Sequence, residues 1–230
     1  MKDRKQLLAL LGGLLILSGV IGLFEQGWRG ETGSSAVSSA KAGAFDFWVL
    51  ALSWSPSYCA NNKGDTEQCG ADAPGGMVVH GLWPQLERGY PEFCDMGPER
   101  IPRRIATEVD DLIPSDDAVF HQWRKHGRCS GQSAQGYFDT LRTAADRVAV
   151  PELFSKARKT GLTLPAAEIE EAFIQANPGL ARSMLAISCH AGQIRDVRVC
   201  LNRDMTYRAC SEVDQRGCKR VLDIPAFNRS

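Results

Sequence analysis

Apolar residues run almost unbroken from Phe45 to Trp54, a stretch rich in aromatic and β-branched side chains. A strand with so few polar positions must be covered on both faces, so it is expected at the centre of a sheet. Ser55-Pro56-Ser57 ends it, Asn61 to Gly76 reads as a polar loop, and Met77 to His80 reads as the neighbouring strand. Gln85 to Gly97 is again loop. The period then changes. Pro102 begins a helix through Leu112, with Pro in its first turn and Ile105, Val109 and Leu112 along one side. Pro114 stops it. Asp116 and Asp117, behind Pro114-Ser115, start the next helix, and Gly127 is its expected stop. Three more helices are predicted at Tyr137 to Val148, at Glu152 to Lys159 behind Pro151, and at Pro165 to Ala176 after a Thr163 cap.

Asn177-Pro178-Gly179 breaks the helical pattern. Met184 to His190 and Ile194 to Asn202, on either side of Ala191-Gly192-Gln193, read as an antiparallel hairpin. Val197, Val199 and Leu201 alternate with Arg198 and Cys200, which predicts one wetter face. Val221 to Ile224 adds a last short strand. Strands at both ends of a helical middle predict an α+β fold, with an antiparallel central sheet flanked by helices.

Residues 1–44 differ in kind. Lys2, Arg4 and Lys5 precede an apolar run from Leu7 to Phe24, the pattern of an export signal. The run exceeds the ~7–15 residues of a usual signal peptide and reaches the low edge of the ~17–25 that span a bilayer. A cleaved signal peptide and an uncleaved anchor are therefore both expected readings. Gly27 to Ala44, rich in Gly, Ser and Ala, reads as a flexible linker. Residues 45–230 are then a single domain, long enough for one core. All eight cysteines lie in it, and an even number in an exported chain points to four disulfides and a periplasmic or secreted location. No pair has the CxxC spacing of a zinc ribbon or a redox site, and the sequence by itself leaves many connectivities open.

Of the 27 basic and 27 acidic residues, five and three precede Phe45, which leaves 22 and 24 in the domain. A protein that grips long duplexes by counterion release would be basic. Any nucleic-acid substrate is therefore engaged over few nucleotides.

Two stretches carry chemistry. On the helix from Asp116, at about 100° per residue, His121, Lys125, Gln122 and His126 fall within about 140° of arc, and Val119, Trp123 and Phe120 cover the next arc. Two of the chain's four histidines and a lysine on one face are costly for a purely structural helix, because like charges repel. The other stretch, Met77-Val78-Val79-His80-Gly81-Leu82-Trp83-Pro84-Gln85, puts an imidazole at an expected strand terminus, where catalytic groups are often held. Together, His80-Gly81-Leu82-Trp83-Pro84 and His121-Gln122-Trp123-Arg124-Lys125-His126-Gly127-Arg128-Cys129 resemble the two active-site segments of the ribonuclease T2 family. The first matches throughout. The second departs at Gln122, where the family usually has Glu. The resemblance runs from about Phe45, through Ala51-Leu52-Ser53-Trp54, to the C-terminus, and implies the same α+β fold.

It also implies roles. His126 would take the proton of an RNA 2′-hydroxyl, His80 would protonate the leaving 5′-oxygen, His121 would bind phosphate, and Lys125 would stabilise charge on the phosphorus, with Gln122 beside them. Glutamine keeps nearly the shape of the usual carboxylate but has no charge and relays no proton. A base pocket would start at Trp83, with Gln85 in the place of a frequent Asp and Tyr90 as a further aromatic. Disulfides Cys94–Cys129, Cys189–Cys218 and Cys200–Cys210 follow from the resemblance and leave Cys59–Cys69. Two histidines suit acid and base because one can be neutral and one protonated near mildly acidic pH. RNA carries its own nucleophile, so no metal or other cofactor is expected.

The implied partner is single-stranded RNA and not DNA, with membrane contact only through the N-terminal segment and a monomeric chain. His190 has no motif, and Trp48, Trp54 and Trp123 are assigned to the core. Two readings compete with the enzyme: a scaffold weakened by Gln122 that binds nucleotides or a protein, and a metal-dependent hydrolase with His80, His121, His126 and Cys129 as ligands.

Overall fold

The structure, a computed structural model, describes residues 36, 37 and 41–227. In chain order these form β1 (Ala36–Val37), β2 (Phe47–Trp54), α1 (Ser55–Cys59), α2 (Thr66–Cys69), β3 (Met77–Gln85), β4 (Tyr90–Pro91) and α3 (Arg103–Thr107). Then come α4 (Asp116–Lys125), α5 (Ala134–Asp146), α6 (Leu153–Thr160), β5 (Leu162–Pro165) and α7 (Ala166–Ala176). The chain closes with β6 (Leu185–His190), β7 (Gln193–Leu201), α8 (Ser211–Gln215) and β8 (Val221–Ile224).

The fold is α+β. Every residue of β2 is buried, as its unbroken apolar run predicts. It lies between β3 and β7, antiparallel to both, and β7 carries β6 on its other edge. β7 also meets β8 in parallel at Gln193 and Asp223, and β8 pairs antiparallel with β5. Alternation along β2 divides the core. Trp48, Leu50, Leu52 and Trp54 point into the large cluster that the helices complete with Trp123, Tyr137, Leu141, Phe154 and Phe173. Phe47 and Val49 point the other way, against Ala186, Cys200, Cys210 and Val213. This second cluster corrects the wetter face expected on β7, since the loop and α8 that follow the strand cover Cys200.

Other expectations shift for local reasons. Pro102 is the N-cap of α3, which lasts five residues and gives way to turns before Ile113. Pro165 likewise stands outside its helix, as the end of β5 and the N-cap of α7. The four residues of β5 are too few to show a period, and α1 and α2 are single turns within stretches that read as loop. The Leu7 to Phe24 run lies outside the described residues, and among the described residues no helix is long and apolar enough to cross a membrane. Within the stretch from Gly27 to Ala44, the described residues make backbone hydrogen bonds. β1 pairs with β4, and the Gly43 N–H donates to Cys129 O at 2.9 Å. Backbone hydrogen bonds need no particular side chain, so composition did not reveal them.

Among the described residues, disulfides join Cys59–Cys69, Cys94–Cys129, Cys189–Cys218 and Cys200–Cys210. Cys94–Cys129 spans 35 residues and ties the loop after β4 to the turn after α4. On the chain-entropy relation this crosslink is worth about 3.8 kcal/mol, against about 2.7 kcal/mol for the 10-residue Cys59–Cys69 loop. Replacing both cysteines of the long loop with alanine should therefore lower the urea-unfolding free energy more than replacing both of the short one; an inverted order would contradict it.

Candidate active site

β3 does not end at His80, as the sequence reading had it, but continues through Gly81-Leu82-Trp83-Pro84 to Gln85. Across the ladder Ala51 pairs with Gly81 and Leu52 with Val79, which leaves His80 as the extra residue of a β-bulge. A bulge re-aims the side chain it carries. Here His80 Nδ1 meets Asp196 Oδ1 on β7 at 3.1 Å, while the residue lines a cleft of about 770 Å³. An ionised carboxylate can only accept, so Nδ1 holds the proton and Nε2 is left for the cleft.

Asp196 is fully buried. Its Oδ2 accepts from Ser188 Oγ at 3.0 Å, and the Arg195 and Arg198 guanidinium groups lie 3.4 and 3.7 Å away. Burial pushes this carboxyl up, but the His80 hydrogen bond and then the charges of His80, Arg198 and Arg195 outweigh it and hold it below the usual carboxylate range. The sequence reading missed this residue. Its one signal was a carboxylate inside a strand, where Asp is disfavoured.

α4 forms because its charges suit the helix dipole: Asp116 and Asp117 occupy the first turn, Arg124 and Lys125 the last. His126 caps it, its N–H donating to Gln122 O at 2.9 Å. Gly127 is not the left-handed stop expected. It starts a 3₁₀ turn, and a β-carbon there would strike Trp123 and Tyr137, so close packing explains the glycine. Gly131, at φ 78°, ends the turn.

The ionisable face of α4 is divided: His121 is exposed, whereas Gln122 and His126 are only 2 % and 6 % exposed. His121 and Gln122 line the cleft with His80. Burial pushes the His126 imidazole well below its ordinary value, and the charges of Lys125, His80 and His121 push the same way. No described residue bonds its buried Nδ1. His121 is lowered too, by burial first and then by Lys125, Arg124 and His80. Lys125 meets the loop after β4. Its Nζ lies 3.4 Å from Glu92 Oε2, so a loop carboxylate partners the lysine that Gln122 cannot.

Trp83 joins the strand to the helix. Its indole stacks on His126 at 5.3 Å, meets His80 edge-on at 5.2 Å, and has the Arg198 guanidinium 5.4 Å from its centroid. Gln85 is buried and donates from Nε2 to Gly89 O at 2.8 Å, and Tyr90 sits half-buried in β4. The structure thus gathers His80, His121, Gln122, His126 and Trp83, and leaves Gln85 at the end of β3 and Tyr90 in β4. A feature the sequence did not signal is Phe93, 54 % exposed at φ 50°, a strained conformation for a non-glycine residue. Its N–H donates to Lys125 O at 2.9 Å, and its ring lies 5.9 Å from Lys125 Nζ. Cys129 is bonded to Cys94 and offers no thiolate, and among the described residues no three His, Cys, Asp or Glu side chains converge as metal ligands. His190 is exposed at the end of β6.

Comparison with known proteins gives one consistent result. The profile of the Ribonuclease T2 family matches residues 45–210. A ribonuclease of Aeromonas hydrophila is 33 % identical over 192 residues, covering 80 % of this chain and 85 % of that protein. Among solved structures, an RNase-related protein from Calystegia sepium superposes with a TM-score of 0.65 at 18 % identity, over 82 % of this chain and 100 % of that one. RNase NT in complex with 5′-AMP superposes at 0.59 and 23 % identity, over 80 % and 99 %.

Proposed function

The chain belongs to the ribonuclease T2 family, and on that premise we propose that it is a metal-independent endoribonuclease that cleaves single-stranded RNA through the substrate's own 2′-hydroxyl. The observation that carries this reading is the contrast between two imidazoles on one tryptophan. His126 is buried and held well below its ordinary pKa, hence neutral and ready to accept. His80 is bound through Nδ1 to the buried Asp196 carboxylate, which fixes its tautomer and leaves Nε2 free. A neutral imidazole and a second one with an oriented free nitrogen supply the base and the acid.

His126 takes the 2′ proton, O2′ attacks phosphorus, and His80 passes its Nε2 proton to O5′ as that bond breaks. The products are a 2′,3′-cyclic phosphate and a free 5′-hydroxyl. Water then opens the ring to a 3′-phosphate with the two histidines exchanging roles. Lys125 and His121 hold the phosphate oxygens. The four disulfides support an oxidising compartment, periplasmic or secreted, and a near-neutral domain supports a monomer that grips few nucleotides.

Incubation with single-stranded RNA and with DNA of the same sequence, with and without EDTA, tests the reading. RNA should yield cyclic-phosphate ends whether or not EDTA is present, and DNA, which lacks the nucleophile, should stay intact. Robust DNA cleavage would overturn the mechanism, and intact RNA would favour a nucleotide- or protein-binding scaffold.

A further inference from the structure

Gln122 lines the cleft beside His80 and His121, and its amide has two chemically different ends. Trp83 decides which end faces where. Its Nε1–H lies 2.9 Å from Gln122 Oε1, and an indole can only donate, so the carbonyl oxygen is committed to Trp83. Gln122 Nε2 makes no hydrogen bond to a described residue, nor is it sealed from solvent. Gly81 protects this arrangement. A β-carbon at that position would collide with both Gln122 Oε1 and Trp83 Nε1. The strand thus approaches the helix closely enough to orient one amide.

We propose that Gln122 is a fixed, neutral hydrogen-bond donor to a non-bridging oxygen of the scissile phosphate, and that Trp83 is the positioning residue that turns the amide to donate. The inference rests on the ribonuclease reading and deepens it. The phosphate is then held by Gln122 Nε2 together with Lys125 and His121. Trp83 accordingly acts on the phosphate through this amide.

Gln122→Glu separates this role from a structural one. The carboxylate can still accept from Trp83 Nε1, so the link between strand and helix survives, while the group facing the phosphate loses its protons and gains charge. Calorimetric titration with inorganic phosphate and with a nucleoside 3′-monophosphate should show affinity about 10- to 100-fold lower in Gln122→Glu at pH 7, the range for a hydrogen bond to a charged group. The deficit should shrink as pH falls and the new carboxyl regains a proton. Gln122→Leu should lose a similar factor with no such pH dependence, and Trp83→Phe, which frees the amide to rotate, should lose less. In the wild type, the Gln122 side-chain amide resonances should shift when phosphate is added. Unmoved resonances at saturating phosphate, or equal or tighter binding by Gln122→Glu, would overturn the proposal even if every variant folded. A wild type whose phosphate affinity depends on Gln122 but which leaves RNA intact would instead sink the ribonuclease reading and keep the donor.

Discussion

Changing His126 or His80 to alanine should each lower RNA cleavage by about 10²–10⁴ with the fold intact, the usual contribution of a positioned acid or base. The two losses should differ in their dependence on pH. Because His126 is held below its ordinary pKa by burial and then by neighbouring positive charge, it stays neutral into mildly acidic solution. The acid limb of the kcat/KM profile should therefore lie below pH 6.5 and vanish in His126→Ala. The basic limb should vanish in His80→Ala. Stability carries a second signature. A folded-state pKa below the unfolded value of about 6.5 gives stability that is complete above that pH and is lost as pH falls toward the folded value. His126→Ala lacks this liability, so its stability deficit relative to wild type should narrow between pH 7 and pH 5. His190→Ala, altering an exposed side chain at the end of β6, is the control and should change the rate little. Should it match the loss of the other two while circular dichroism stays native, the site has been drawn around the wrong histidines.

The legible parts of the molecule are those encoded in local sequence. The apolar run of β2 announces a strand buried on both faces, and the two short segments around His80 and His126 announce their chemistry, because residue type and spacing sit within a dozen positions. Features that depend on pairing between distant segments are not written this way. His80 owes its direction to a bulge, which exists only in the register of β3 against β2. Asp196 lies 116 residues from the imidazole it holds, in a strand whose alternation suggested a solvated side. That the Trp83 N–H reaches Gln122 appears only once the helix is docked on the strand. Even the glycines change meaning in three dimensions: Gly81 and Gly127 are needed for close approach, and the left-handed turn belongs to Gly131.

Asp196→Asn should reduce kcat/KM by about 10- to 100-fold, the loss typical of removing a partner that orients a functional histidine. Asparagine can still offer an oxygen to His80 Nδ1, so the ring need not turn. What weakens is the charge-assisted hydrogen bond that fixes the ring's tautomer and aims its Nε2. kcat should therefore fall more than KM rises. A merely structural Asp196 would not produce that split. Stability should fall as well, by about 3 kcal/mol, the low end for a broken buried ion pair, because the largely buried Arg198 loses its carboxylate. The sign with pH is fixed: a carboxyl whose folded pKa lies below the unfolded value of about 3.9 stabilises above that pH, and the contribution is lost as pH falls through the folded value. The stability gap between wild type and Asp196→Asn should therefore close in acid. Ser188→Ala supplies the contrast, since it removes the two hydrogen bonds that Ser188 Oγ makes with Asp196, to Oδ2 and from its N–H, without touching His80. It should lower stability by about 1–3 kcal/mol and change kcat/KM far less than Asp196→Asn does. If Asp196→Asn kept kcat/KM within twofold, His80 would have to be held for acid duty by something other than this carboxylate.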